Sequence, residues 1–259
     1  MGKLKKIAIA LGILLIILVA ALVTFFYKFN SFDESTLSSN YNFRIELTTN
    51  SKLENPTFIV PIPLGNDALV NSGINESMLK SDGWNISMIE TEYGKMLKIS
   101  AKEFVPEVHK NIELNPDTNM PTGNSFSITM GSKDVSASVV ADHIIDTLNA
   151  TENEPLLSQK FNLTLSHYNE PLPPAGISPK KYNYDSIIYA DYISSPNATV
   201  EVFVELSGRN EWFAGGWGFN IYRERLGTTL NGEKHGWFSV TGELVEGEGL
   251  KLPAQSPRN

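Results

Sequence analysis

The chain has 259 residues, of which 41% are hydrophobic and 19% are charged, a composition typical of a folded protein rather than a disordered one. It contains no cysteine, which excludes disulfide bonds, thiolate nucleophiles and Cys-ligated metal centres. Its formal net charge of -8 would repel nucleic acid, so we expect no nucleic-acid partner.

The first predicted element is an uncharged apolar run from Ile7 to Tyr27. As a helix it would rise about 30 Å, the thickness of the hydrocarbon core of a bilayer. This length favours an uncleaved signal anchor; the alternatives are cleavage near residues 19–21 and a buried soluble helix. Because lysines precede the run and basic flanks stay cytoplasmic, we predict a cytoplasmic basic tip (1–6), a transmembrane helix (7–27) and an extracytoplasmic C-terminal domain at the plasma membrane.

A polar, serine-rich stretch at residues 28–40 follows and is typical of a short stalk. Alternation of apolar and polar residues then begins, with Phe43, Ile45 and Leu47 on one side of a half-buried strand. Prolines limit residues 56–64, PTFIVPIPL, to an edge strand.

The same alternation recurs and indicates a mainly β domain over residues 41–252. Its turns and spacing predict an antiparallel β-sandwich-like ectodomain. The recurring segments are 84–88, 96–100, 126–130, 161–165, 200–206 and 238–244.

Helical signals are few. An apolar stripe predicts a short helix over 141–148, and a second short helix is indicated over 67–80. The proline-rich stretch 171–181 marks either a division between two lobes or a long loop within one sandwich. Residues 253–259 are predicted to form a flexible tail.

No motif assigns a catalytic residue, a cofactor or a metal. Asp142 and Asp146 would share a face of the predicted helix beside His143, but a solvated helix face explains this pattern better than a bound cation does. The sequence therefore favours a binding protein over an enzyme. A surface polymer hydrolase with paired carboxylates and an accessory subunit of a membrane complex are the alternatives.

Sequons for N-glycosylation are scattered through the predicted ectodomain. Ordinary surface asparagines are the alternative interpretation. The candidates are Asn75, Asn85, Asn149, Asn162 and Asn197.

The stretch GRNEWFAGGWGFNIYRERL has the highest density of aromatic and arginine side chains. In β proteins such rings usually pack in the core. The alternative is a ligand-binding surface, in which aromatic faces stack on sugars and arginines pair with carboxylates or phosphates. The candidate ligand-binding residues are Trp212, Trp217, Tyr222, Arg209, Arg223 and Arg225. The expected function is binding of an envelope protein or a glycan at the cell surface by a single-pass membrane protein.

Overall fold

The computed structural model describes residues 2–30, 32–64, 83–114, 121–168 and 178–252. The chain starts with helix α1 (Lys3–Asn30) and continues as strands, with a single-turn helix α2 (Ala150–Asn153) between β9 and β10. The predicted helix over 67–80 and most of the proline-rich stretch lie outside the described residues, so these predictions stay untested. The strands are β1 (Asp33–Thr49), β2 (Leu53–Val60), β3 (Pro63–Leu64), β4 (Trp84–Thr91), β5 (Gly94–Ala101), β6 (Glu103–Phe104), β7 (Glu107–Leu114), β8 (Pro121–Thr129), β9 (Gly131–Val140), β10 (Leu156–Leu157), β11 (Phe161–Ser166), β12 (Lys180–Ile193), β13 (Thr199–Phe213), β14 (Trp217–Asn231) and β15 (Lys234–Gly249).

One antiparallel sheet of 11 strands forms the body of the protein, in the order β4-β5-β2-β12-β15-β14-β13-β1-β9. Two short strands extend it, β6 beside β2 and β11 beside β12. The sheet curls, and its inner face encloses the core. The mainly β, antiparallel prediction is confirmed, but one curled sheet takes the place of the two facing sheets of a sandwich. Long strands with continuous pairing favour this result, because strand twist accumulates along an unbroken ladder.

The inner face is apolar along β1 and β13, as the period-two pattern predicted. Phe43, Ile45 and Leu47 of β1 are buried, as are the valines of β13 at positions 200, 202 and 204. β11 departs from the pattern, since its apolar side chains at 161, 163 and 165 are exposed. The pairing of β11 with β12 shifts in register between Phe161 and Thr164, which breaks the alternation.

β2 is an interior strand, so the prediction of an edge strand was wrong. It pairs with β12 on one side and with β5 and β6 on the other. The sheet tolerates Pro56 because the register with β12 shifts next to it, between the pairs that contain Thr57 and Glu54. Asn55 has a φ of 50° at this bulge. A proline without an N–H donor is acceptable where a bulge already interrupts the ladder.

The stretch predicted as a stalk is divided between α1, which ends at Asn30, and β1, which begins at Asp33. Its polar side chains bond to the sheet: the backbone N–H of Phe213 donates to Thr36 Oγ1 at 2.9 Å, and Ser39 Oγ donates to Asn210 Oδ1 at 2.6 Å. The serine-rich composition that suggested a stalk therefore supplies hydrogen bonds to β13.

α1 carries its apolar side chains outward. Side chains along the helix are described for residues 12–25, and all of these are exposed, Leu15 and Phe25 among them. Among the residues that the structure describes, no helix combines the length and the apolar character that crossing a membrane requires.

Tyrosine rings on the inner face lie over glycines of neighbouring strands. Tyr184 of β12 is opposite Gly242 of β15, and Tyr222 of β14 is opposite Gly208 of β13. A Cβ atom on either glycine would collide with the opposing ring. These glycines therefore leave the space that the Tyr184 and Tyr222 rings occupy.

We expect Gly242→Ala to destabilise the protein by about 1–3 kcal/mol, because the added methyl group must displace the Tyr184 ring in a packed core. Gly227→Ala is the matched control on β14, since its Cβ would meet nothing closer than Phe203 at 3.8 Å. Denaturant unfolding of the purified full chain measures the free energy of unfolding of both variants. An equal loss in the two variants would contradict the proposed role of Gly242.

Candidate functional site

Residues 141–160, here called the closing segment, cover part of the inner face of the sheet. Ile145, Ala150 and Leu157 are buried in the same apolar core as the strands. The segment crosses the core with little secondary structure of its own, α2 and the two residues of β10. Its buried backbone groups therefore need partners elsewhere, since an unpaired buried N–H group costs free energy.

The predicted helix over 141–148 is not formed, because side chains take its backbone hydrogen bonds. Asp146 Oδ1 accepts from the backbone N–H groups of Leu148 and Asn149, each at 3.2 Å. The Asp146 side chain thus closes a local turn. Burial opposes ionisation of its carboxyl, but side-chain hydrogen bonds from Asn153 and Asn149, together with these backbone bonds, lower its pKa overall. The shared helical face proposed for Asp142 and Asp146 does not exist.

Asn210 of β13 binds the closing segment from the sheet. Its Oδ1 accepts from the backbone N–H of Ile145 at 3.0 Å, and its Nδ2 donates to the Ile145 carbonyl at 2.8 Å. The same Nδ2 donates to Asn220 Oδ1 on β14 at 2.8 Å. Asn210 and Asn220 are both buried. One amide side chain therefore fixes both backbone groups of Ile145.

Buried carboxylates bind the rest of the segment. Glu224 of β14 accepts from the backbone N–H of Leu157 at 2.7 Å. Glu246 of β15 accepts from the N–H of Thr151 at 2.6 Å. Glu154, within the segment, accepts from the N–H of Asp146 at 2.6 Å. The sheet and the segment are thus joined by charge-assisted bonds in the protein interior, which are stronger than bonds between neutral groups.

The Glu224 side chain is 0% exposed, as is that of Glu246. Lys160 Nζ lies 3.0 Å from Glu224 Oε1 and also donates to the Leu157 carbonyl at 2.5 Å. Burial raises the pKa of Glu224 and lowers the pKa of Lys160, and the attraction between the two groups opposes both shifts. Both Glu224 oxygens have donors, so this carboxylate holds structure and does not present a free reactive group.

A chain of polar contacts runs from the surface to Glu154. His143 Nδ1 lies 2.8 Å from Asp142 Oδ1, and His143 Nε2 lies 3.2 Å from the hydroxyl of Tyr41. That hydroxyl donates to Glu154 Oε2. The hydrogen bond to Asp142 raises the pKa of His143, and burial raises the pKa of Tyr41. Tyr41 is therefore a hydrogen-bond donor here and a poor nucleophile.

The predicted sugar-stacking surface does not form, because its rings lie on different faces. Trp212 and Tyr222 are buried, with relative exposures of 2% and 0%, while Trp217 is 66% exposed. Trp217 and Tyr222 lie on opposite sides of β14 by the period of two. Trp212 packs over Gly218, whose Cβ would lie 2.9 Å from the indole nitrogen. For Trp212 and Tyr222 the core interpretation is the correct one.

The predicted arginines lie on the outer face of the sheet. Arg209 stacks over the Phe219 ring, 4.2 Å from its centroid, and its Nη2 lies 3.3 Å from Glu211. Arg223 and Arg225 lie farther along the outer face of β14. Arg209 is not among the residues that line the depression at Arg223 and Arg225.

Arg223 and Arg225 line a depression of about 230 Å³, here called the outer groove. Each basic side chain in it has an acidic partner. Arg223 Nη1 lies 3.0 Å from Glu248, Arg225 Nε lies 2.6 Å from Glu205, and Lys181 Nζ lies 2.6 Å from Glu243. The remaining lining residues are His167, Tyr168 and Val245.

The sequons within the described residues are all at the surface. Asn85 lies on β4 and Asn197 in the turn before β13, and both are exposed. Asn149 and Asn162 are exposed too, but their Nδ2 atoms donate to Asp146 at 3.2 Å and to Asp185 at 2.9 Å. Asn75 lies outside the described residues. Glycosylation of these sites stays a prediction.

Within the described ranges, no group of His, Asp or Glu side chains is arranged to hold a metal ion. Comparisons with protein-family models, with curated proteins and with solved structures find no match for this chain.

Sequence reasoning missed the buried polar groups of the closing segment. Glu224 and Tyr222 are two residues apart, so they share one side of a strand, but nothing in a local pattern shows that this side faces the core. The available signal was an acidic residue at a strand position whose alternate neighbours, Tyr222 and Leu226, are apolar. Such a position predicts a carboxylate that needs an internal partner.

We expect Glu224→Ala to cost about 3–5 kcal/mol, because it leaves the Lys160 ammonium and the Leu157 N–H without their buried acceptor. The double variant Glu224→Gln with Lys160→Met should be milder, since the amide oxygen can still accept from Leu157 and no buried charge remains. Urea unfolding compares them. If the double variant lost as much stability as Glu224→Ala, burial of an unpaired charge would not be the cause.

We expect stability to fall steeply above about pH 10, where tyrosines of the unfolded chain ionise. Burial raises the pKa of Tyr192 to about 12. A raised folded pKa means that the stabilising contribution is complete below about pH 10 and is lost by about pH 12, at about 1.4 kcal/mol per pH unit. Burial raises the pKa of Tyr41, Tyr184 and Tyr222 as well.

The free energy of unfolding should fall less steeply with pH in Tyr192→Phe than in the parent protein across this pH range, because one of the ionising groups that contribute is gone. The Tyr192 hydroxyl has no hydrogen-bond partner among the described residues, so the substitution should change stability little near neutral pH. If stability fell equally steeply with pH in Tyr192→Phe and in the parent protein, Tyr192 would not contribute to the alkaline loss of stability.

Proposed function

We propose that this protein is anchored by α1 in the plasma membrane and that its β body lies outside, where it binds another protein of the cell envelope. The supporting observation is the exposed apolar helix. The uncharged run from Ile7 to Tyr27 falls wholly within α1, and the side chains at 12–25 are exposed. Apolar surface left in water costs about 25 cal/mol per Å², so such a helix needs a lipid or protein environment.

The flanks of α1 support the proposed orientation. Lys3, Lys5 and Lys6 precede the apolar run, whereas Asp33 and Glu34 follow it closely. Basic flanks remain on the cytoplasmic side, which leaves the acidic β body on the other side.

The outer groove supports a protein partner. It presents charges of both signs, and the side chains of Arg223 and Lys181 are each 28% exposed, so a partner with complementary charges can reach them. A glycan partner has less support, because the Trp212 and Tyr222 rings are buried. A polymer hydrolase has less support as well, since the buried carboxylates Glu224 and Glu246 are engaged by the closing segment.

The cysteine-free chain allows a direct experiment. His167→Cys places a single thiol at the groove, where it can carry a membrane-impermeant photo-cross-linker added to intact cells. We expect labelling without lysis and a cross-linked product that protease, but not glycosidase, degrades. Arg223→Glu combined with Arg225→Glu should abolish the product by reversing the groove's charge.

Arg44→Glu is the matched control, because Arg44 is also an outer arginine paired with carboxylates, those of Asp134 and Glu46. It should retain the product. Labelling that requires lysis would overturn the proposed location, and a glycosidase-sensitive product would overturn the protein partner. A product that survives the charge reversal would exclude the outer groove as the binding site.

A further inference from the structure

The turn between β13 and β14 lies next to the end of α1. α1 ends at Asn30, and Asp33, at the start of β1, is the register partner of Phe213, the last residue of β13. The backbone N–H of Phe213 also donates to Thr36 Oγ1 at 2.9 Å. The chain from Asn30 to Asp33 can span at most about 11 Å. The turn is thus tethered within a short distance of the helix end.

The tip of this turn is uncharged and aromatic. Its sequence from Trp212 to Phe219 contains no ionisable side chain. Trp217 is 66% exposed, and its ring meets the Phe213 ring edge to face, with centroids 5.8 Å apart. The turn itself is tight, since the Ala214 N–H donates to the Gly216 carbonyl at 2.9 Å.

The turn at the other end of β14 has a different character. It joins β14 to β15 through Gly232 and Glu233, and His235 follows with its Nε2 2.6 Å from Glu233. Glu233 and His235 are exposed. The two ends of the same strand therefore differ: the aromatic end is tethered to the end of α1 through Asp33, and the charged turn is at the opposite end of β14.

We propose that the Phe213–Trp217 tip inserts into the headgroup region of the bilayer on the outer side, beside the point where α1 leaves the membrane. Tryptophan is enriched at this depth because its ring is apolar and its indole N–H remains hydrogen-bonded. This inference rests on the proposed function, that α1 anchors the protein in the membrane. The two contacts, the helix and the tip, would fix the tilt of the β body and set which way the outer groove faces.

The short link between the tip and α1 favours lipid as the partner of the tip. Asp33, the register partner of Phe213, lies at most about 11 Å along the chain from the end of α1, so a tip paired to it lies close to the place where an anchoring helix meets the membrane surface. Asp33 and Glu34 lie at the same place, so an anionic surface would oppose insertion and a zwitterionic one would not. A second copy of the chain or another protein at the tip is the competing outcome.

Single-cysteine variants of the full chain in phosphatidylcholine vesicles test this. Gly216→Cys puts a thiol on the tip, where a Cβ meets nothing within 4 Å. Leu15→Cys marks the middle of α1, and Glu233→Cys marks the far turn. Each carries an environment-sensitive fluorophore. The depth of the fluorophore in the bilayer is measured by quenching with lipids that carry a nitroxide either at the headgroup or on the acyl chain.

We expect the label at 216 to shift to shorter wavelength and to be quenched by the headgroup nitroxide, the label at 15 by the acyl-chain nitroxide, and the label at 233 by neither. Adding Trp217→Ser should return the label at 216 to water without moving the label at 15. This variant keeps the helix and removes the exposed ring.

The outcomes separate the two proposals. A label at 15 that no lipid quenches would overturn the membrane anchor itself. A label at 15 in the acyl chains with a label at 216 in water would overturn the tip insertion alone. If the emission of the label at 216 shifted without quenching by either lipid, the tip would contact protein instead of lipid, and the proposed insertion would also be overturned.

Discussion

The interior of this protein depends on backbone N–H groups of the closing segment that bond to buried side chains. The backbone N–H and C=O groups of the curled sheet pair with each other between strands, but the segment that covers its inner face has almost no helix or strand of its own. Asn210, Glu224 and Glu246, from three neighbouring strands, supply the missing acceptors for Ile145, Leu157 and Thr151. Without them, the core would contain unpaired donors at a cost of about 1–3 kcal/mol each.

This arrangement determines which groups remain for function. The buried carboxylates Glu224 and Glu246 face inward and accept hydrogen bonds from the closing segment. They are therefore not available for the acid–base catalysis that buried carboxylates often perform. The outer face, with paired charges along β12, β14 and β15, is left for contacts. Glycines on the inner face leave room for the tyrosine rings, and the outer groove lies on the opposite face.

The sequence predicted what depends on local periodicity. The strands around Phe43 and Val202 and the mainly β class follow from alternation and turn residues. It could not predict which strands pair across long separations, so one curled sheet looked like two facing sheets. Pro56 was tolerated through a bulge that only the register shows. The helix expected over 141–148 failed because Asp146 and the distant Asn210 outcompeted the helical hydrogen bonds.

Native-state hydrogen exchange of the backbone amides in the closing segment tests this account most directly. Ile145 lies outside regular structure, and Thr151 and Leu157 belong only to the single-turn α2 and the two-residue β10. The N–H groups of all three should nevertheless exchange as slowly as those of β13, because they open only when the core opens. Exchange at the rate of an exposed turn such as Ser195 to Asn197 would show that the buried side chains do not hold the segment, and would contradict the account.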